Sequence, residues 1–130
     1  MTPNGTKKRV LLVEDNPINM ELAVVLLSGG GYEILQATTA EAAIGLATQE
    51  HPDLILMDIG LPGMDGLEAT RQLTQAPETM DIPIVALTAQ AMEGERDKAL
   101  ASGCSGYIAK PIDTRAFAQI VARLLADEEN

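Results

Sequence analysis

Four short apolar runs each end in a residue able to bind or transfer a charged group. Glu14-Asp15 follows Val10–Val13, Asp58 follows Leu54–Met57, Thr88 follows Ile82–Leu87, and Lys110 follows Tyr107–Ala109. Three carboxylates brought together repel one another unless a cation intervenes. Lys110 offsets one charge, since two unit charges ~4 Å apart attract by about 4 kcal/mol at an effective dielectric of ~20. The remaining charge calls for a hard divalent cation. Oxygen ligands with room for water suit Mg²⁺, with Mn²⁺ as the alternative ion, and the set holds no histidine or cysteine to favour zinc. A carboxylate beside such an ion, an ammonium and a hydroxyl is equipped for phosphoryl transfer. The carboxylate attacks phosphorus and becomes an acyl phosphate. The ion and Lys110 would neutralise the equatorial oxygens, and Thr88 can donate to one of them. After Asp58, the loop Gly60-Leu61-Pro62-Gly63 lets the backbone approach ion and phosphate closely.

This chemistry needs a scaffold that gathers the four run ends. The apolar runs, with a fifth at Tyr32–Ala37, alternate with five segments of helical period. Several runs are continuous, as in strands covered on both faces. Asn16-Pro17 predicts a cap and first helical position for a helix running through Ile18, Leu22, Val25 and Leu26 to Gly29-Gly30-Gly31. Thr38 and Glu41 have capping-box spacing before a second helix at Ala42–Gln49. A third is expected over Gly66–Thr74 and a fourth over Ala91–Ala101, stopping at Gly103. Asp113 or Thr114 starts a fifth, with Phe117, Ile120, Val121, Leu124 and Leu125 as its stripe. Such a (βα)5 alternation implies an α/β fold: a doubly wound parallel sheet with right-handed crossovers. Open sheets of this kind bind ligands beyond the carboxyl ends of their strands. In the order 2-1-3-4-5, the polar ends fall on four contiguous strands.

Composition narrows the class. The 130 residues fit one domain over 1–130, with a core at about 8–125 and frayed polar ends. A formal net charge of -10 repels nucleic-acid backbones and anionic membranes, so neither is an expected partner. The one basic cluster, Lys7-Lys8-Arg9, reads as a solvated strand start. A single cysteine, Cys104, allows no internal disulfide, and the sequence shows no signal peptide and no run of ~18 apolar residues. A cytoplasmic location is expected.

The stretches VLLVEDNPIN, DLILMDIGLPGMDGLE, IPIVALTA and GYIAKPID, in this order and spacing, resemble the response-regulator receiver domains of two-component signalling. The resemblance runs from about Lys8 to Leu125 and implies a flavodoxin-like sheet of order 2-1-3-4-5. It implies Asp58 as phosphoacceptor, Glu14 and Asp15 as metal-binding acids, and the Gly60 backbone carbonyl as a further metal ligand. It makes Thr88 and Lys110 the phosphoryl-binding pair and Tyr107 the aromatic switch, with a cis peptide at Lys110-Pro111. Glu14 stands where many members have Asp, which lengthens one ligand. Gly60 and Gln90 occupy positions that modulate dephosphorylation. The implied donor is a histidine kinase or histidine phosphotransfer protein. The implied readout surface is the fourth helix, strand five and the fifth helix, roughly Ala91–Leu125.

Other conspicuous residues have plain structural readings. His51, the one histidine, reads as a surface turn residue, and Cys104 as packing. Asp65 and Glu68 belong to a helix start, where acids suit the dipole. Met57, Met64, Met80 and Met92 read as packing residues, and Asp127-Glu128-Glu129 as a solvated tail. The expected protein is a phosphorylatable binding module that catalyses nothing beyond its own phosphorylation and dephosphorylation. Met1 and the acidic end favour a free-standing protein, against an alternative as a receiver segment of a larger hybrid kinase. An aspartyl-phosphate phosphatase or phosphotransferase is the third reading, and sustained turnover of phosphate esters would distinguish it.

Overall fold

A computed structural model describes residues 8–28, 32–58, 66–88, 101, 103–104, 106–109, 119 and 121–123, with the backbone alone at 88 and 107–109. The strands are β1 (Arg9–Val13), β2 (Glu33–Ala37), β3 (Leu54–Asp58), β4 (Ile84–Thr88) and β5 (Gly106–Ala109). They form one parallel sheet of order β2-β1-β3-β4-β5, as expected. Helices α1 (Pro17–Ser28), α2 (Ala40–Glu50) and α3 (Gly66–Gln75) lie between them in sequence.

Side chains alternate across a strand, and the central strands send apolar residues both ways. Leu11, Val13, Ile55, Met57, Ile84 and Ala86 pack with Ala40, Ala43 and Ala47 of α2 and Ala69 and Leu73 of α3. On the opposite face Val10, Leu12, Leu54, Leu56, Val85 and Leu87 pack with Met20, Ala23 and Leu27 of α1 and with Val121. Burial on two faces explains why the runs are continuous. Each fully buried Leu or Ile contributes roughly 1.5–3 kcal/mol relative to exposure.

Several local expectations need correction. The cap of α2 is Thr39, not Thr38: its backbone is extended (φ -135, ψ 159) and its Oγ1 accepts from the Ala42 N–H. The helix therefore begins at Ala40, and the third residue after the cap is Ala42, so no capping box closes. β4 begins at Ile84 rather than Ile82, because the Ile82 N–H is spent on the carbonyl of Thr79 in the preceding turn. In α1 the residues Ile18, Leu22 and Val25 point to solvent, at 78%, 38% and 63% exposure, while the core takes Met20, Ala23 and Leu27. That helix is apolar on both sides. Met80 is also exposed, not packed.

Other expectations hold. Asn16 caps α1, its Oδ1 accepting from the N–H groups of Ile18 and Asn19 at 2.9 and 3.1 Å. Gly103 has φ +112, as a helix stop requires, and a Cβ there would lie 2.8 Å from Cγ2 of Thr74. Gln119 and residues 121–123 are helical, whereas the fourth helix and the start of the fifth lie outside the described residues apart from helical Ala101. Cys104 is buried, its Sγ 4.0 Å from Oγ1 of Thr70. Arg9 is indeed a strand-start residue, its guanidinium donating to the Glu50 carbonyl at 2.7 Å and to Glu50 Oε1 at 2.6 Å.

His51 closes α2 in the left-handed region (φ 47), and its Nε2 lies 3.0 Å from Asp81 Oδ1 in the loop after α3. The hydrogen bond to His51, then Asp81's own backbone N–H, hold this carboxyl below its ordinary value of 3.8. A carboxyl with a lowered folded-state pKa stabilises the fold above its unfolded value and loses that contribution as pH falls through the folded one. Asp81 is therefore expected to support stability above about pH 4 and to lose this effect in more acid solution. Carboxyl NMR titration of wild type and His51→Ala checks this: the Asp81 midpoint should rise in the variant.

Candidate functional site

Strand register brings the acids together. Val13 of β1 is level with Met57 of β3, so the next residues, Glu14 and Asp58, are neighbours at the carboxyl ends of adjacent parallel strands. Alternation sets both on the side of Val10, Leu12, Leu54 and Leu56. The Glu14 N–H donates to the Ala37 carbonyl at 3.0 Å, which extends the β1–β2 ladder by one step. Asp15 follows on the loop into α1. One carboxylate oxygen each from Glu14, Asp15 and Asp58 lies within 4.8 Å of the others. Glu14 is 2% and Asp58 6% exposed, whereas Asp15 faces solvent.

Two buried carboxylates and one exposed carboxylate at this spacing repel one another in a partly dry site. Opposite charge is the direct remedy. Oxygens bound to one ion at about 2.1 Å are at most about 4.2 Å apart, close to the observed spread. The donor set is oxygen alone, so it fits a hard divalent cation. The exposed side of Asp15 leaves water and an incoming group access to the site.

The other predicted residues are placed less completely. Asp58 is level with Leu87, so Thr88 ends β4 one step beyond it, and Thr88 in turn is level with Ala109 of β5. Tyr107 is level with Ala86 in the same ladder. The backbone thus sets Asp58, Thr88 and the end of β5 along one sheet edge. Gly60, Gln90, Lys110 and Pro111 lie outside the described residues, as does Asp65. Glu68 stays out of the acid cluster: it sits in the first turn of α3 and pairs with Arg71 at 2.8 Å.

Two features were not read from the sequence. A groove of about 410 Å³ opens beside the acids, walled by Pro17, Met20, Val24 and Val25 of α1 and by Gln36 and Thr38 at the end of β2. Its apolar wall includes the outward residue Val25, which periodicity alone assigns to either side of an apolar helix. The second is a hydrogen bond of 3.1 Å from the Asn16 N–H to Glu14 Oε2. The Asn16 cap is legible in the sequence, but the direction of its N–H depends on the turn between β1 and α1.

Comparisons with known proteins agree with this geometry. Residues 10–122 match the family described as the response regulator receiver domain. The polar-differentiation response regulator DivK of Brucella ovis is 42% identical over 120 residues, covering 92% of this chain and 98% of that protein. The solved receiver domain of a sensor histidine kinase from Pseudomonas aeruginosa, which has a magnesium ion coordinated in its active site cleft, is 35% identical with a TM-score of 0.86. It covers 93% of this chain and 99% of its own. A response regulator structure from Chloroflexus aurantiacus superposes at a TM-score of 0.89 with 30% identity, covering 93% of this chain and 99% of that one. Sheet order, the acid cluster at its carboxyl edge and the match over residues 10–122 converge: the chain belongs to the response regulator receiver domain family.

Proposed function

We propose that this receiver works as a phosphorylation switch on Asp58, acting as one unit over residues 1–130 in the cytoplasm. The observation that supports it most is the burial of Asp58 at the carboxyl edge of the sheet, its oxygen within 4.8 Å of those of Glu14 and Asp15. The donor is the phosphohistidine of a histidine kinase or phosphotransfer protein. An Asp58 oxygen attacks phosphorus, the P–N bond breaks, the imidazole leaves with its electron pair, and an acyl phosphate remains. Glu14, Asp15, Asp58 and the Gly60 carbonyl would hold Mg²⁺, which when bound supplies positive charge for the transferring oxygens. Lys110 neutralises a second share of that charge. Thr88 donates to one phosphoryl oxygen.

The new group adds charge and acceptor oxygens beside the end of β4. Thr88 moves toward it, and Tyr107 turns inward beside β5, which remodels the surface of roughly Ala91–Leu125 for a downstream protein. Both states pre-exist, and the phosphoryl group shifts their balance by its differential affinity. Amide chemical shifts recorded with and without a beryllofluoride mimic test this. Perturbations are expected to spread from the acid loops to β5 and residues 91–101, and to shrink in Thr88→Ala. Confinement to the acid loops would sink the switching model.

A second reading, a receiver segment within a larger hybrid kinase, is supported by the likeness to the Pseudomonas aeruginosa kinase receiver. It uses the same chemistry at Asp58.

A further inference from the structure

We propose that Asn16 is a positioning residue for the cation centre: its backbone N–H steadies the Glu14 carboxylate, and its side chain fixes where that N–H points. The inference rests on the reading of Glu14 as a cation ligand. Asn16 is solvent-exposed, yet its backbone N–H, its carbonyl and its side-chain Oδ1 are all engaged by the fold. Its N–H donates to Glu14 Oε2 at 3.1 Å. Its Oδ1 accepts from Ile18 at 2.9 Å and Asn19 at 3.1 Å, and its carbonyl accepts from Met20 at 2.9 Å. Pro17 disfavours the helical conformation for the residue before it and so favours the extended backbone that a cap needs.

Glu14 has one more rotatable bond than an aspartate, so its carboxylate has more ways to miss a small ion with strict geometry. An N–H on one oxygen restrains the carboxylate plane and thereby both oxygens. The Asn16 side chain is occupied by two helix N–H groups, which makes it a support for the ligand rather than a ligand itself. Through Met20, Ala23 and Leu27, α1 is packed on the sheet. Asn16 therefore ties the loop that carries Glu14 and Asp15 to the core. Outer partners of metal ligands commonly change metal affinity by 10- to 100-fold when removed.

The test separates cation affinity from stability. Asn16→Ala removes the cap of α1, and Thr39→Ala removes the equivalent cap of α2, where Thr39 Oγ1 accepts from Ala42 at 3.1 Å. Both variants should melt at lower temperature, because each loses a cap. Mg²⁺ titrations followed by amide chemical shifts should give a dissociation constant raised about tenfold in Asn16→Ala. The constant should be unchanged in Thr39→Ala. Asn16→Ser, which restores a cap oxygen, should return it to within about twofold of wild type. An Asn16→Ala protein that loses stability yet binds Mg²⁺ like wild type overturns the positioning role and leaves the cation centre standing. Asn16→Ser that binds as poorly as Asn16→Ala also overturns it. If wild type itself does not respond to Mg²⁺, the cation reading fails and the inference falls with it.

Discussion

Asp58→Asn protein treated with a small phosphodonor and Mg²⁺ is expected to keep its unmodified mass, while wild type gains one phosphoryl group. A carboxamide is not a competent nucleophile toward phosphorus, so the effect is loss of uptake rather than a fractional decrease. The substitution is nearly isosteric, which keeps the packing of a residue that is only 6% exposed. It also removes one of three like charges within 4.8 Å, so the variant should fold at least as well as wild type without metal. Failure to phosphorylate cannot then be ascribed to unfolding. Intact mass spectrometry over a time course gives the readout, with Asp15→Asn as a comparison in which Asp58 remains. Uptake by Asp58→Asn at the wild-type rate would show that another residue accepts the group.

Mg²⁺ should stabilise the wild-type fold, and Glu14→Gln combined with Asp15→Asn should erase that gain. An ion that binds only the folded state adds about 2.7 kcal/mol at ~100 times its dissociation constant. The ligands that produce the gain also store repulsion when metal is absent. Two unit charges ~4.8 Å apart repel by about 3.5 kcal/mol at an effective dielectric of ~20, before the solvent exposure of Asp15 reduces it. The double variant without metal should therefore be more stable than wild type without metal, by roughly 1–3 kcal/mol. Its midpoint in urea should not move on adding Mg²⁺. A metal-dependent shift equal to that of wild type would remove Glu14 and Asp15 from the ligand set.

Much of this architecture is readable because burial leaves a simple trace. Continuous runs such as Leu54–Met57 record strands covered on both faces, and Asn16-Pro17 marks a helix start through backbone chemistry alone. The acids are legible because Glu14 and Asp58 each follow such a run, with Asp15 next to Glu14. Local failures have local causes. Thr38 and Thr39 are adjacent residues of one type, and sequence spacing favours the first, whereas the extended backbone at Thr39 makes it the cap. Ile82 extends an apolar run, but Pro83 and a turn bond to Thr79 delay the strand. Helix α1 carries apolar residues on every side, so its period does not say that Met20, Ala23 and Leu27 face inward. The support that Asn16 gives Glu14 depends on the direction of one N–H, which no side-chain pattern records.

Helices α1 and α2 differ in the size of the residues they bury against the sheet. The buried residues of α2 are all alanines, Ala40, Ala43 and Ala47, which set their methyl groups against Leu11, Val13, Ile55 and Met57 of the strands. On the opposite face α1 buries the longer Met20 and Leu27 against Leu12, Leu54 and Leu56. Sequence drift is therefore constrained in opposite directions in the two helices. The α1 contact can exchange residues of similar volume at a cost under about 1.5 kcal/mol, and suffers chiefly from truncation. The α2 alanines have little left to truncate and suffer from growth, since each added methylene must push the helix off the sheet, at about 1–3 kcal/mol for an overpacked site. Divergent descendants of this sequence should thus keep the buried face of α2 alanine-rich while Met20 and Leu27 of α1 exchange with residues of similar volume.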